Sequence, residues 1–151
     1  MIKIFNSRFE NSLRLLLLLS NLTEPMLLER LYIIDFLVVY GKDFGITEEN
    51  LNGDNDFKYS EFQSRKAICK SALKELVLNG LVLPTSSKAG ILYQITDAGM
   101  SYAEELKSEY ALEYKNNTVK TMQHVGNCSN RILLEKINKL SAESIRGESC
   151  E

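Results

Sequence analysis

Residues 73–99, LKELVLNGLVLPTSSKAGILYQITDAG, constrain the fold more than any other stretch of the chain. They place a helix end, two strands and a helix start within one short span. Asn79-Gly80 stops the first helix, because glycine takes the left-handed conformation that closes a helix C-terminus. Leu81-Val82-Leu83 then makes a short strand, and Ile91-Leu92-Tyr93-Gln94-Ile95 returns with β-branched and aromatic residues. Between them Pro84-Thr85-Ser86-Ser87-Lys88-Ala89-Gly90 is rich in turn formers, which predicts a hairpin with a long loop carrying one cation, Lys88. Thr96 or Asp97 caps the helix that follows.

The remainder reads as helical. Asn6 or Ser7 caps a first helix running to about Ser20, whose dense leucines are covered on most sides. Pro25 takes the first position of a second helix over residues 25–40, where its missing N–H costs nothing. Gly41 ends that helix, and residues 42–59 form a long polar connection that suits either a binding element or a solvent loop. Ser60 caps a third helix that continues to Leu78. Residues 97–114 have helical spacing that residues 115–124 continue, residues 131–140 make a last helix, and residues 141–151 read as a flexible tail. The expected fold is mainly α with a small β-hairpin: a single winged helix-turn-helix domain over residues 1–140, with additional N- and C-terminal helices. Such a fold serves DNA readers and protein-docking adaptors alike.

Charge narrows the choice. A net charge of −2 argues against a protein that draws its affinity from neutralising many phosphates, although a local basic stripe stays open. Cys69, Cys128 and Cys150 form an odd set without CxxC spacing, so neither a zinc site nor a disulfide framework is expected. The apolar run at residues 15–19 is far shorter than the roughly 20 residues a membrane span needs. No cleavable signal is evident, and the cytoplasm is the default address. The sole histidine, His124, has no nucleophile motif or second His near it, and no glycine-rich phosphate loop occurs. No enzymatic activity, cofactor or metal is therefore expected.

Two sets of side chains stand out on the third helix. A step of 100° per residue puts Lys66, Lys70 and Lys74 on one stripe, and with Lys88 they form either a phosphate-contacting footprint for DNA or a plain solvated face. Arg65 instead falls between Ile68 and Leu76, inside the apolar arc. Asp35 has the complementary problem, interrupting an apolar run where a lone carboxylate would cost about several kcal/mol to desolvate. An Asp35–Arg65 ion pair between the second and third helices answers both, in which case losing either partner should cost about the same. The alternative is that Asp35 faces a partner protein. Leu15, Leu18 and Leu19 on the first helix are candidates for a partner interface as well as for core, and Tyr102, Tyr110 and Tyr114 form an aromatic stripe on the fourth that suits core or a dimer face, with Tyr102 and Tyr110 as candidate partner anchors.

Taken in order, SLRLLLLLSNL, IIDFLVVYGKDFG, SEFQSRKAICKSALKELVLNGLV and YQITDAG resemble the middle component of bacterial ABC-three-component defence systems over residues 9–114. The resemblance implies a winged-helix adaptor encoded between an effector, such as a nuclease, and an SMC-like ABC ATPase that senses DNA, in systems related to Lamassu anti-phage defence. The matching positions are Asp35, Asp43, Phe44, Gly45, Arg65, Gly80 and Leu81, which look structural. Residues 47–57 depart from the pattern, being Asn/Asp-rich rather than proline-rich. An acidic chain fits such an adaptor, since the ATPase would supply most phosphate contacts. The competing class is a homodimeric winged-helix transcription regulator of the MarR or PadR kind, with the third helix in the major groove.

Overall fold

The structure is a computed structural model that describes residues 8–51, 53 and 58–149; the Asn6 or Ser7 cap, much of the Asn/Asp cluster and Cys150 lie outside these. Its elements are α1 (Arg8–Ser20), β1 (Met26–Leu27), α2 (Leu28–Val39), a 3-10 turn (Gly41–Phe44), α3 (Lys58–Leu78), β2 (Val82–Ser87), β3 (Gly90–Ile95), α4 (Asp97–Glu105), α5 (Glu109–Val125) and α6 (Asn130–Ser149). The architecture is mainly helical with a small three-stranded antiparallel sheet of order β1-β3-β2.

The core forms around α1 and α2. All five residues Leu15, Leu16, Leu17, Leu18 and Leu19 are buried, which a helix achieves only when neighbours cover every side, here α2, α3, α4 and α5. In α2, Phe36 anchors an aromatic cluster, with ring centroids 4.7 Å from Phe62, 5.1 Å from Tyr40 and 6.1 Å from both Phe44 and Tyr59. α6 closes the far side of α2 with Leu133 and Ile137.

Several boundaries differ from the sequence reading. Helix two does not begin at Pro25: Met26 pairs with Tyr93 and Leu27 with Leu92, so these residues satisfy the free edge of β3 before α2 starts. The hairpin loop is shorter than its turn-rich composition suggests. The ladder runs out to Ser87 opposite Gly90, leaving Lys88-Ala89 as the turn, and the Ser87 hydroxyl donates to the Gly90 carbonyl at 2.7 Å. Pro84 is tolerated inside β2 because that strand is at the sheet edge, where one side needs no N–H donor. α3 starts at Lys58 rather than after a Ser60 cap, since Asp43 holds both Lys58 and Tyr59. The helix expected over residues 97–124 breaks at Leu106-Lys107-Ser108. Ser108 caps α5 by accepting from the Ala111 N–H at 3.1 Å, and Lys115 Nζ donates to the Ala103 carbonyl at the end of α4. α6 continues past Leu140 to Ser149, into residues read as a tail, because no proline interrupts its propagation.

The join between α3, the sheet and α4 is tight. Gly80, at φ 73°, ends α3 in a Schellman arrangement, its N–H bonded to Val77 and that of Leu81 to Leu76. Thr96 caps α4 by accepting from the Gly99 N–H at 3.0 Å and donates its own hydroxyl to the Gly80 carbonyl at 2.8 Å. A Cβ on Gly99 would run into the Leu81 carbonyl oxygen, so glycine is required there.

Candidate functional site

Asp35 lies at the centre of a buried charged cluster. Arg65 Nη1 is 3.2 Å from Asp35 Oδ2, and both side chains are 1% exposed. A second guanidinium, that of Arg14 on α1, approaches the same carboxylate side-on, with Nε 3.1 Å from Oδ1 and Nη2 3.2 Å from Oδ2. Tyr114 on α5 donates its hydroxyl to Oδ1 at 2.7 Å. Asn11 accepts from Arg14 Nη2 at 2.6 Å and from Arg65 Nη1 at 3.4 Å, while Glu61 Oε1 sits 3.0 Å from Arg65 Nη2. Four helices thus meet on one carboxylate.

The electrostatics follow from that geometry. Burial alone would push the Asp35 carboxyl up, but Arg14 and Arg65 outweigh it and hold the group below the usual carboxylate range. Burial pushes the Tyr114 phenol well above its ordinary value, and the adjacent Asp35 charge adds to this. The expectation of equal costs for Asp35 and Arg65 changes with Arg14 present: losing Arg65 leaves Asp35 paired with Arg14, whereas losing Asp35 takes the shared carboxylate from two guanidiniums, leaving Arg65 with Glu61 and Arg14 with Glu10 at 3.5 Å. Sequence reasoning missed Arg14, although an arginine between Leu13 and Leu15 carries the same signal as Asp35 in its apolar run. Tyr114 stands out in the sequence only as an aromatic for core or a dimer face, and its bond to Asp35 gives no signal because it spans 79 residues of chain.

The lysines lie on a different side of α3. Lys66, Lys70, Lys74 and Lys88 are all exposed. Lys70 and Lys74 edge a groove of about 550 Å³ between α3 and the sheet, and apolar side chains form much of it: Val77, Leu78, Pro84 and Ile91. Lys66 is one helical turn beyond, and Lys88 is at the turn of the β2–β3 ribbon.

Among the expected interface residues, Leu15, Leu18 and Leu19 are a correction: they are sealed in the core and present nothing to a partner, because α2, α3, α4 and α5 pack around that part of α1. Tyr102 is 40% exposed, at the edge of an apolar groove of about 680 Å³ that includes Phe9, Leu13 and Leu81. Tyr110 is half-buried near Arg14 and Glu10, one helix away from Tyr102, so the two tyrosines do not form one stripe.

The matching positions of the 41–59 connection act as a clasp. Asp43 binds Lys58, accepts from Asn50 Nδ2 and Tyr59 OH at 3.2 Å each, and Phe44 packs edge-on to Phe36. Gly45 takes φ 72° to close the turn. Cys69 is buried, which pushes its thiol up to about 12 and makes it inert. His124 is exposed in the last turn of α5. Among the described residues no cluster of three or more His, Cys, Asp or Glu side chains is placed to hold a metal ion, and no helix is long and apolar enough to cross a membrane.

Fold and site together define a small helical domain whose buried charges tie helices together and whose groove between α3 and the sheet is largely apolar and edged by Lys70 and Lys74. The chain belongs to the family of ABC-three-component (ABC-3C) system middle component 2, whose family model matches residues 4–147. No curated protein and no solved structure matches it. As one component of such a system, it implies partner proteins.

Proposed function

We propose that this chain is a non-enzymatic winged-helix adaptor of an ABC-3C defence system related to Lamassu, linking an SMC-like ABC ATPase to an effector of the nuclease type in the cytoplasm. Family membership carries the reading. In it α1, β1, α2, α3 and the β2–β3 ribbon are the winged unit, and α4, α5 and α6 are additional helices. The helix order and the β1-β3-β2 strand order support that assignment. Exposed apolar side chains such as Phe9, Leu78 and Ile91 support docking as the mode of action.

The experiment is co-expression with the neighbouring open reading frames. Co-purification with an SMC-like ATPase and an effector is the expected result, and a chain that purifies alone would remove the adaptor reading. A second reading, a dimeric regulator of the MarR or PadR kind, is favoured by one observation: Lys66, Lys70, Lys74 and Lys88 all face solvent. Gel shifts of the isolated chain at rising salt separate the two. A regulator binds tightly and sequence-selectively with a steep salt dependence, whereas the adaptor contacts DNA mainly when the ATPase is present.

A further inference from the structure

The groove between α3 and the sheet does not suit nucleic acid, despite its lysines. Leu78 is 73% exposed and Ile91 50% exposed, and together with Val77 and Pro84 they give the groove an apolar floor that phosphates cannot use. The strand register puts Pro84, Ile91 and Tyr93 on one face of the sheet, opposite the stripe of α3 that begins at Ala67 and ends at Leu78. That stripe is about 16 Å long, three turns of a helix. Lys70 and Lys74 stand along its edge, and no carboxylate among the described residues pairs with either. Two cations are too few for strong phosphate binding, but they complement a carboxylate-flanked ridge.

We infer that this groove docks an amphipathic helix of a partner protein, with an apolar ridge over Leu78 and Ile91 and acidic residues facing Lys70 and Lys74. A strand is disfavoured there because Pro84 lacks the N–H that ladder pairing along β2 needs. A second copy of the chain is disfavoured because a two-fold contact through this face would set lysine against lysine. The inference rests on the adaptor reading and names the chemistry by which it operates.

The test uses the full chain and a fluorescent helical peptide of about 14 residues, with leucines at i, i+3, i+4 and i+7 and glutamates on the flanks. A second peptide carries lysines in place of the glutamates, and a DNA duplex serves as third probe. Saturable binding of the acidic peptide is expected, with about tenfold or greater loss in Leu78→Glu. The Lys70→Glu/Lys74→Glu variant should transfer preference to the lysine-flanked peptide. All three side chains are exposed, so folding is retained, and thermal melts verify it. Absence of peptide binding, indifference to flank charge, retention in both variants or tighter binding of the duplex would each overturn the inference. So would a wild-type dimer that Leu78→Glu makes monomeric. If the wild-type chain co-purifies with its operon partners and Leu78→Glu does so equally well, the groove fails while the adaptor reading stands.

Discussion

α3 carries positive charge on two sides, and the two sides differ in everything but sign. Arg65 is sealed beside Asp35 with Arg14, Asn11 and Tyr114 around it, while Lys70 and Lys74 stand in water beside an apolar groove. The buried charge has lost its hydration and cannot be spared once its partner goes; the exposed charge is screened, interchangeable and free for association. Burial, then, is what separates a residue that holds the fold from one that meets a partner.

The most severe test of that contrast is Asp35→Asn. It should lower unfolding stability by about 3–5 kcal/mol in urea titrations, because two buried guanidiniums would lose the carboxylate they share and keep the more exposed Glu61 and Glu10. A loss below about 1 kcal/mol would erase the distinction between the two sides. Arg14→Met should cost more than Arg65→Met, since Arg14 makes two contacts to Asp35 and Arg65 one, and the double variant should be non-additive because both act on the same carboxylate. Tyr114→Phe should cost about 1.5–3 kcal/mol, the worth of one hydrogen bond to a charged acceptor.

Of the two sides, acid should act on the sealed one. Because Asp35 titrates lower in the folded chain than in the unfolded one, the unfolded chain takes up the proton first as pH falls. The stabilisation is therefore complete above the ordinary carboxylate value of about 4 and is lost progressively below it. Chemical denaturation at a series of pH values should show this fall in wild type and a flatter profile in Asp35→Asn. The smallest effect belongs to the open side: alanine at Lys66, Lys70 or Lys74 should change stability by no more than about 0.5 kcal/mol.

What the sequence revealed follows the same division. Asp35 and Arg65 were legible because a charge in an apolar pattern demands an explanation, and the α3 stop at Gly80 was legible because few residues accept its backbone conformation. Arg14 carried an equal demand but sat beside so many leucines that it read as a polar break in a stripe. β1 was not legible, since two residues after a proline show no strand period and owe their conformation to β3. The α4–α5 break was hidden because tyrosine spacing continued across it, while the decisive groups were the Ser108 cap and a lysine on the following helix. The groove required the register of β2 on β3, which composition does not contain.

The leucines of α1 also set the order in which this molecule is made. They leave the ribosome well before α4 and α5, two of the helices that cover them, and at about 5–20 residues per second that interval is on the order of ten seconds. For that time the nascent chain displays a greasy segment with no cover, the kind of surface that holding chaperones retain. Removing α5 should thus leave a chain that persists in that unfinished condition and aggregates, rather than a smaller folded version of the same domain.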